Sequence, residues 1–75
     1  MNLSVENISA NKPVTILKLQ GELDGSSYTN LIQEAQNLYA AGTRNLLLDM
    51  SELRFMSSAG LVGLHSVVMV MRGQE

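Results

Sequence analysis

Two adjacent hydroxyls, Ser57 and Ser58, lie in the stretch LDMSELRFMSSAGL, between an apolar run ending at Asp49 and a second one beginning at Ala59. Serines in such a place can do three things. They can cap a helix, since a side-chain oxygen accepts a hydrogen bond from an amide left free in the first turn. They can attack a substrate, if a base stands within hydrogen-bond reach. They can also receive a phosphoryl group from another protein, which the free amides and the macrodipole of a helix amino end would accommodate.

The nucleophile is excluded by spacing. His65 is the only histidine. Seven residues along a helix bring it back to the face of Ser58 but about 10 Å away along the axis, too far for proton transfer. A strained GxSxG elbow is absent as well, because Met56 stands where its first glycine belongs. The other candidates are ordinary. Glu22 and Asp24 read as solvated loop charges. His65 has no second His or Cys at ligand spacing and reads as a packed or interface residue rather than a metal ligand. Met56, beside the serines, can serve as an adaptable contact. No phosphate-cradling glycine loop or dinucleotide fingerprint is present. The chain reads as a non-enzyme without metal or cofactor, whose serines act as a cap, a modifiable group, or both.

Composition agrees with that reading. Of 75 residues, 45% are hydrophobic and 16% charged, with a net charge of −2. This is enough for one small domain, residues 1–75. Five Lys plus Arg are too few and too scattered for a nucleic-acid or anionic-membrane surface. The lack of cysteine removes disulfides and thiol chemistry and fits a reducing, cytoplasmic setting. The start, MNLSVENISANK, has neither the basic nor the apolar region of a signal peptide. The apolar segment Ala59 to Met71 falls short of the roughly 20 residues needed to cross a bilayer, so membrane insertion is not expected.

The elements that must position the serines follow from periodicity. LSVENI alternates weakly, as an edge strand does, and SANKP then collects turn formers. In VTILKLQ, Thr15, Leu17 and Leu19 share one face and Lys18 and Gln20 the other, which predicts a second strand and a hairpin. GELDGSS reads as a loop. Tyr28, Leu31, Ile32, Ala35, Leu38 and Tyr39 recur at helical spacing, with Ser26 or Ser27 as cap and Gly42 as the left-handed terminator. NLLLDM reads as a central strand buried on both faces, SELRFM as a connection, and Ala59 to Arg72 as a second helix ended by Gly73. That helix is apolar nearly all round and needs cover on more than one side. Ser58 thus follows a parallel-type strand, at the sheet end where open α/β folds place their sites.

LLLDMSELRFMSSAGLVGL resembles the signature of STAS domains, in the branch of bacterial anti-sigma-factor antagonists, and LKLQGELDGSSYTNLIQEA is similar to the family's earlier G-x-L-D loop and first helix. The resemblance implies a small mixed β-sheet with helices packed on one face, here apparently lacking the family's C-terminal strand and helix. It implies partner switching: the unmodified protein binds an anti-sigma factor that is also its serine kinase, and phosphorylation breaks the complex. It places Ser58 on the phosphorylated serine, with Ser57 as second choice. Gly60 falls on the glycine that lets the helix start approach the loop, and Asp24 on the carboxylate at the rim of the partner-binding face. Asp24, Met56, Ser57, Ser58 and Gly60 are therefore the expected partner-binding residues. Two positions depart from the family pattern: Ser57 replaces an acidic residue and Ala59 a Ser or Thr. A STAS module serving as a structural or regulatory subunit of a membrane transporter, without phosphorylation, is the alternative. The apolar circumference of helix 59–71 further suggests a homodimer through that helix.

Overall fold

The computed structural model describes residues 1–9 and 11–73. Ala10, in the expected turn, lies outside the described residues. The elements run β1 (Asn2–Ser9), β2 (Pro13–Leu23), α1 (Tyr28–Ala40), β3 (Leu46–Met56) and α2 (Ser58–Met71). β1 and β2 form the expected antiparallel hairpin, with Leu3 opposite Leu19 and Val5 opposite Leu17. β3 joins β2 in parallel, so the sheet is mixed and its order is β1-β2-β3.

The alternation in β2 decides where the helices go. Leu17, Leu19 and Leu23 are fully buried, and the same cluster takes in Leu31 and Ala35 of α1 with Val67 and Val70 of α2. Apolar burial on that single face drives the assembly. The other face carries Lys18 paired with Glu52 and Arg54 paired with Glu22, both partly in water. The hydrogen bond they share raises the Lys18 pKa and lowers that of Glu52. Helix α1 ends as its sequence predicts. Gly42 adopts φ +107°, its N–H donates to the Tyr39 carbonyl at 3.0 Å, and Thr43 N–H donates to Leu38 at 2.9 Å, the paired bonds of a Schellman motif.

Three expectations are corrected. NLLLDM is not a central strand: β2 is the central one, and β3 lies at the edge of the described sheet with Leu47 55% exposed. SELRFM is not a connection but the second half of β3. Asp49 accepts hydrogen bonds from the Ser51 amide (3.0 Å) and hydroxyl (2.7 Å), a local turn that reads as a strand end. The chain absorbs it as a bulge, with Met50 and Ser51 opposite Leu19, and Arg54 is a second extra residue. Finally, β2 runs on through Gly21 and Glu22 to Leu23, where a loop was expected.

α2 is buried along one narrow stripe, Gly60, Gly63, Val67 and Val70. Leu61, Val62 and Val68 on its other side are exposed, as is His65, which is therefore not packed within this chain. The two glycines let α2 lie close to its neighbours. A Cβ at residue 63 would stand 3.1 Å from Tyr28 Cβ, where the two helices meet. At residue 60 it would stand 2.6 Å from the Leu23 carbonyl oxygen and 2.7 Å from Met56 Cγ. A backbone oxygen cannot swing aside as a side chain can. Gly60→Ala is therefore expected to lower stability by about 1–3 kcal/mol through overpacking. Gly63→Ala should stay within about 1 kcal/mol of the parent, because the gain in helix propensity offsets a milder contact. Urea denaturation of both variants checks the contrast.

Candidate functional site

The parallel register between β2 and β3 assembles the site. Leu23 pairs with Met56, so the residues that follow each strand emerge side by side. Asp24 leaves β2 and Ser57 leaves β3, although 33 positions separate them in the chain. The Ser57 N–H donates to the Leu23 carbonyl at 3.0 Å and ties the two exits together. Gly60 rests against that carbonyl from the first turn of α2. The fold brings Asp24, Met56, Ser57, Ser58 and Gly60 together at one end of the sheet.

The helix expected from Ala59 starts one residue earlier, at Ser58, and this divides the work between the two serines. Ser57 is the N-cap: its backbone is extended (φ −90°, ψ 177°) and its hydroxyl accepts from the Gly60 N–H at 3.4 Å. Ser58 is the first residue of the helix and is exposed. One hydroxyl is engaged in holding the helix start and the other faces water. The order S-S-A-G permits either serine to cap, and only the backbone at residue 57 decides between them.

The Asp24 loop is more ordered than its composition suggests. Asp24 Oδ1 accepts from the Ser26 N–H (3.0 Å), the Ser26 hydroxyl (2.7 Å) and the Ser27 hydroxyl (3.3 Å). Ser27, almost wholly buried, accepts from the Asp24 N–H at 3.0 Å and shares its one hydroxyl proton between the Glu22 carbonyl, at 2.9 Å, and the more distant Asp24 Oδ1. It stands at the N-cap of α1 yet makes no side-chain bond to the helix, because its hydroxyl is turned back into the loop. These two serines are site residues that sequence reasoning took only as helix caps. The run D-x-S-S, in which an Asp can bond its own backbone two residues on, is the signal that finds them. Hydrogen bonds from Ser26, the hydroxyl first, hold the Asp24 carboxyl below its ordinary pKa.

Large apolar side chains are exposed on the first turns of α2 and on β3. Leu61 and Val62, one turn further on, are 61% and 56% exposed, and Phe55 at the end of β3 is 54% exposed. Met56 is half-buried against Gly60, and a shallow depression lined by Met50, Leu53, Arg54, Phe55 and Met56 runs along β3. Among the described residues no group of three or more His, Cys, Asp or Glu could hold a metal ion. No helix among them is long and apolar enough to cross a membrane.

A family model described as Mlab, STAS domain, matches residues 7–75. The chain belongs to the STAS-domain family. Among solved structures it is similar to the anti-sigma factor antagonist SpoIIAA in its unphosphorylated form, with a TM-score of 0.72 and 15% sequence identity. That match covers 96% of this chain and 64% of the SpoIIAA chain. At that identity the likeness establishes a shared fold, the mixed sheet with its helices on one face. The chain spans less than two thirds of SpoIIAA's length. No curated protein matches the sequence closely enough to count.

The hydrogen bonds on Asp24 have a consequence that titration can read. A carboxylate whose folded pKa is depressed adds stability above its unfolded pKa, and that stability is lost as pH falls through the folded value. Asp24 is held below 3.8, so the loss comes below that pH. Ser26→Ala should move the Asp24 pKa up towards 3.8. It should also lower the melting temperature near neutral pH, with the deficit shrinking as both proteins are taken below their Asp24 pKa. NMR titration of the Asp24 carboxyl and thermal melts across the acid range test both expectations.

Proposed function

We propose that this domain is a partner-switching regulator of the anti-sigma-factor antagonist kind. It acts in the cytoplasm without catalysing a reaction, and Ser58 is the residue its kinase modifies. The observation that carries the reading is the division of labour between the serines. Ser58 is exposed at an amino end that accommodates an anion, while Ser57 is engaged as the cap. A phosphoryl group on Ser58 adds about −1.5 to −2 charges without removing any hydrogen bond of the fold. The partner is an anti-sigma factor that is also the serine kinase. Its contact surface comprises Asp24, Met56, Ser57, Ser58 and Gly60, and the family membership and the antagonist-like fold support that choice.

A second reading has one observation in its favour. Ser57 occupies the place where the antagonist pattern has an acid, and its hydroxyl is spent on capping. A STAS module that never needs phosphorylation, such as a subunit of a membrane transporter, would tolerate that exchange. Pairing of two copies through the exposed side of α2 is compatible with either reading.

Incubation with the purified anti-sigma factor kinase and ATP separates them. Phosphopeptide mapping should find the label on Ser58, and Ser58→Ala should abolish it. Ser57→Ala should keep the label while costing about 0.5–2 kcal/mol of stability through the lost cap. Label lost in Ser57→Ala and retained in Ser58→Ala would reassign the acceptor. A chain that binds its partner but is never labelled would favour the structural subunit.

A further inference from the structure

Two strands border the described sheet, β1 on one side and β3 on the other. Alternate residues of each turn their N–H and C=O groups away from β2, which makes a sheet edge a template for a further strand. The two edges are not equivalent. β3 is interrupted twice by bulges and carries Asp49, Glu52 and Arg54 along its length. Bulges and charges of this kind discourage pairing at an edge. β1 has no such interruption: its register against β2 runs unbroken from Asn2–Gln20 to Ser9–Pro13. Its sequence, NLSVENIS, contains no proline, lysine or arginine, and Glu6 is its one charge.

Burial separates β1 from the rest of the sheet as well. Apart from the half-buried Leu3, every residue of β1 is exposed. Val5 stands opposite the fully buried Leu17 and so shares the face on which the helices pack. It is nevertheless 42% exposed. Leu3 packs against the core, and beyond it β1 overhangs as an open rim.

A second copy of the chain fits that rim. Two β1 strands related by a twofold axis perpendicular to the sheet run antiparallel, and residues of the same face must stand opposite one another. Such an axis passes through a residue of β1. An axis at Glu6 sets two carboxylates against each other, which is destabilising. An axis at Ser4 shortens the ladder. An axis at Val5 pairs Asn2 to Ile8 of one copy with Ile8 to Asn2 of the other, sets Glu6 opposite Ser4, and covers each open Val5 with its counterpart. We propose that β1 is a self-association edge: two copies join their β1 strands antiparallel about Val5 into one continuous sheet, with all the helices on the same side. At most eight residues from each copy take part. A standard stable interface uses about 20–30 a side, so this dimer is weak and forms only at high protein concentration. The end of the sheet that carries Ser57 and Ser58 stays open in it, and the pairing does not rest on the partner-switching reading.

The chain has no cysteine, so single cysteines report the register directly. Residues facing each other across the axis have Cα atoms about 4.5–5.5 Å apart, within disulfide range. Residue 9 lies four positions from the axis, which separates its two copies by about 27 Å. Val5→Cys, Ser9→Cys and Val68→Cys are each checked for folding by circular dichroism and then oxidised over a range of protein concentrations. Val5→Cys should form a disulfide-linked dimer in a yield that rises with concentration, while Ser9→Cys stays monomeric. Sedimentation of the parent chain should show a concentration-dependent dimer. Val5→Lys should weaken that dimer about tenfold or more, because it sets two like charges directly opposite each other. Equal crosslinking of Val5→Cys and Ser9→Cys would mean random collision and overturn the proposal. Crosslinking of Val68→Cys in place of Val5→Cys would overturn it by moving the contact to α2. A parent that stays monomeric at every concentration would also overturn it and leave the β1 edge to a strand of another protein.

Discussion

A single carbonyl group, that of Leu23, organises the site. It accepts the Ser57 N–H at 3.0 Å and lies where a side chain on residue 60 would otherwise be. The first contact joins the end of β3 to the end of β2, and the second sets how close the start of α2 can come to that junction. Both follow from the parallel register that pairs Leu23 with Met56. With the register shifted by one residue, Leu23 would turn out of the core and the Asp24 loop would no longer stand beside Ser57. Burial of Leu23 therefore underlies both the stability of the fold and the geometry of the site.

The same economy appears in the polar side chains. Hydroxyl groups do most of the structural work at this end of the sheet: Ser57 caps α2, Ser27 braces the Asp24 loop from within, and Ser26 holds the carboxylate. Every buried polar side-chain atom among the described residues has a partner. Ser58 stands apart, exposed and with no fold-stabilising bond from its hydroxyl. A modification there would act on the surface alone and leave the bonds of the fold in place.

Membership of the STAS-domain family and the SpoIIAA-like architecture bear on the fold. What makes this chain particular is the surface around its candidate site. α2 carries its apolar residues on both sides, one stripe against the core and another in the open, and the upper part of the open stripe borders Ser58. The Lys18–Glu52 and Arg54–Glu22 pairs lie on the other face of the sheet, while the Asp24 carboxylate stands at the site itself.

The order of elements, the hairpin, the inward face of β2 and the Schellman end of α1 were legible in the sequence. Each is encoded locally, by a period of two or 3.6, by a glycine at a left-handed position, or by a short motif. Three features were decided only by the tertiary structure. β3 continues through Asp49 and Ser51 because pairing with β2 outweighs a local turn, and a bulge takes up the extra residues. NLLLDM lies at the edge of the described sheet because an apolar run reports hydrophobicity and not the number of its neighbours. Ser57 rather than Ser58 caps α2 because the hydrogen bond to Leu23 holds its backbone extended, a constraint that arrives from 34 residues away in the chain.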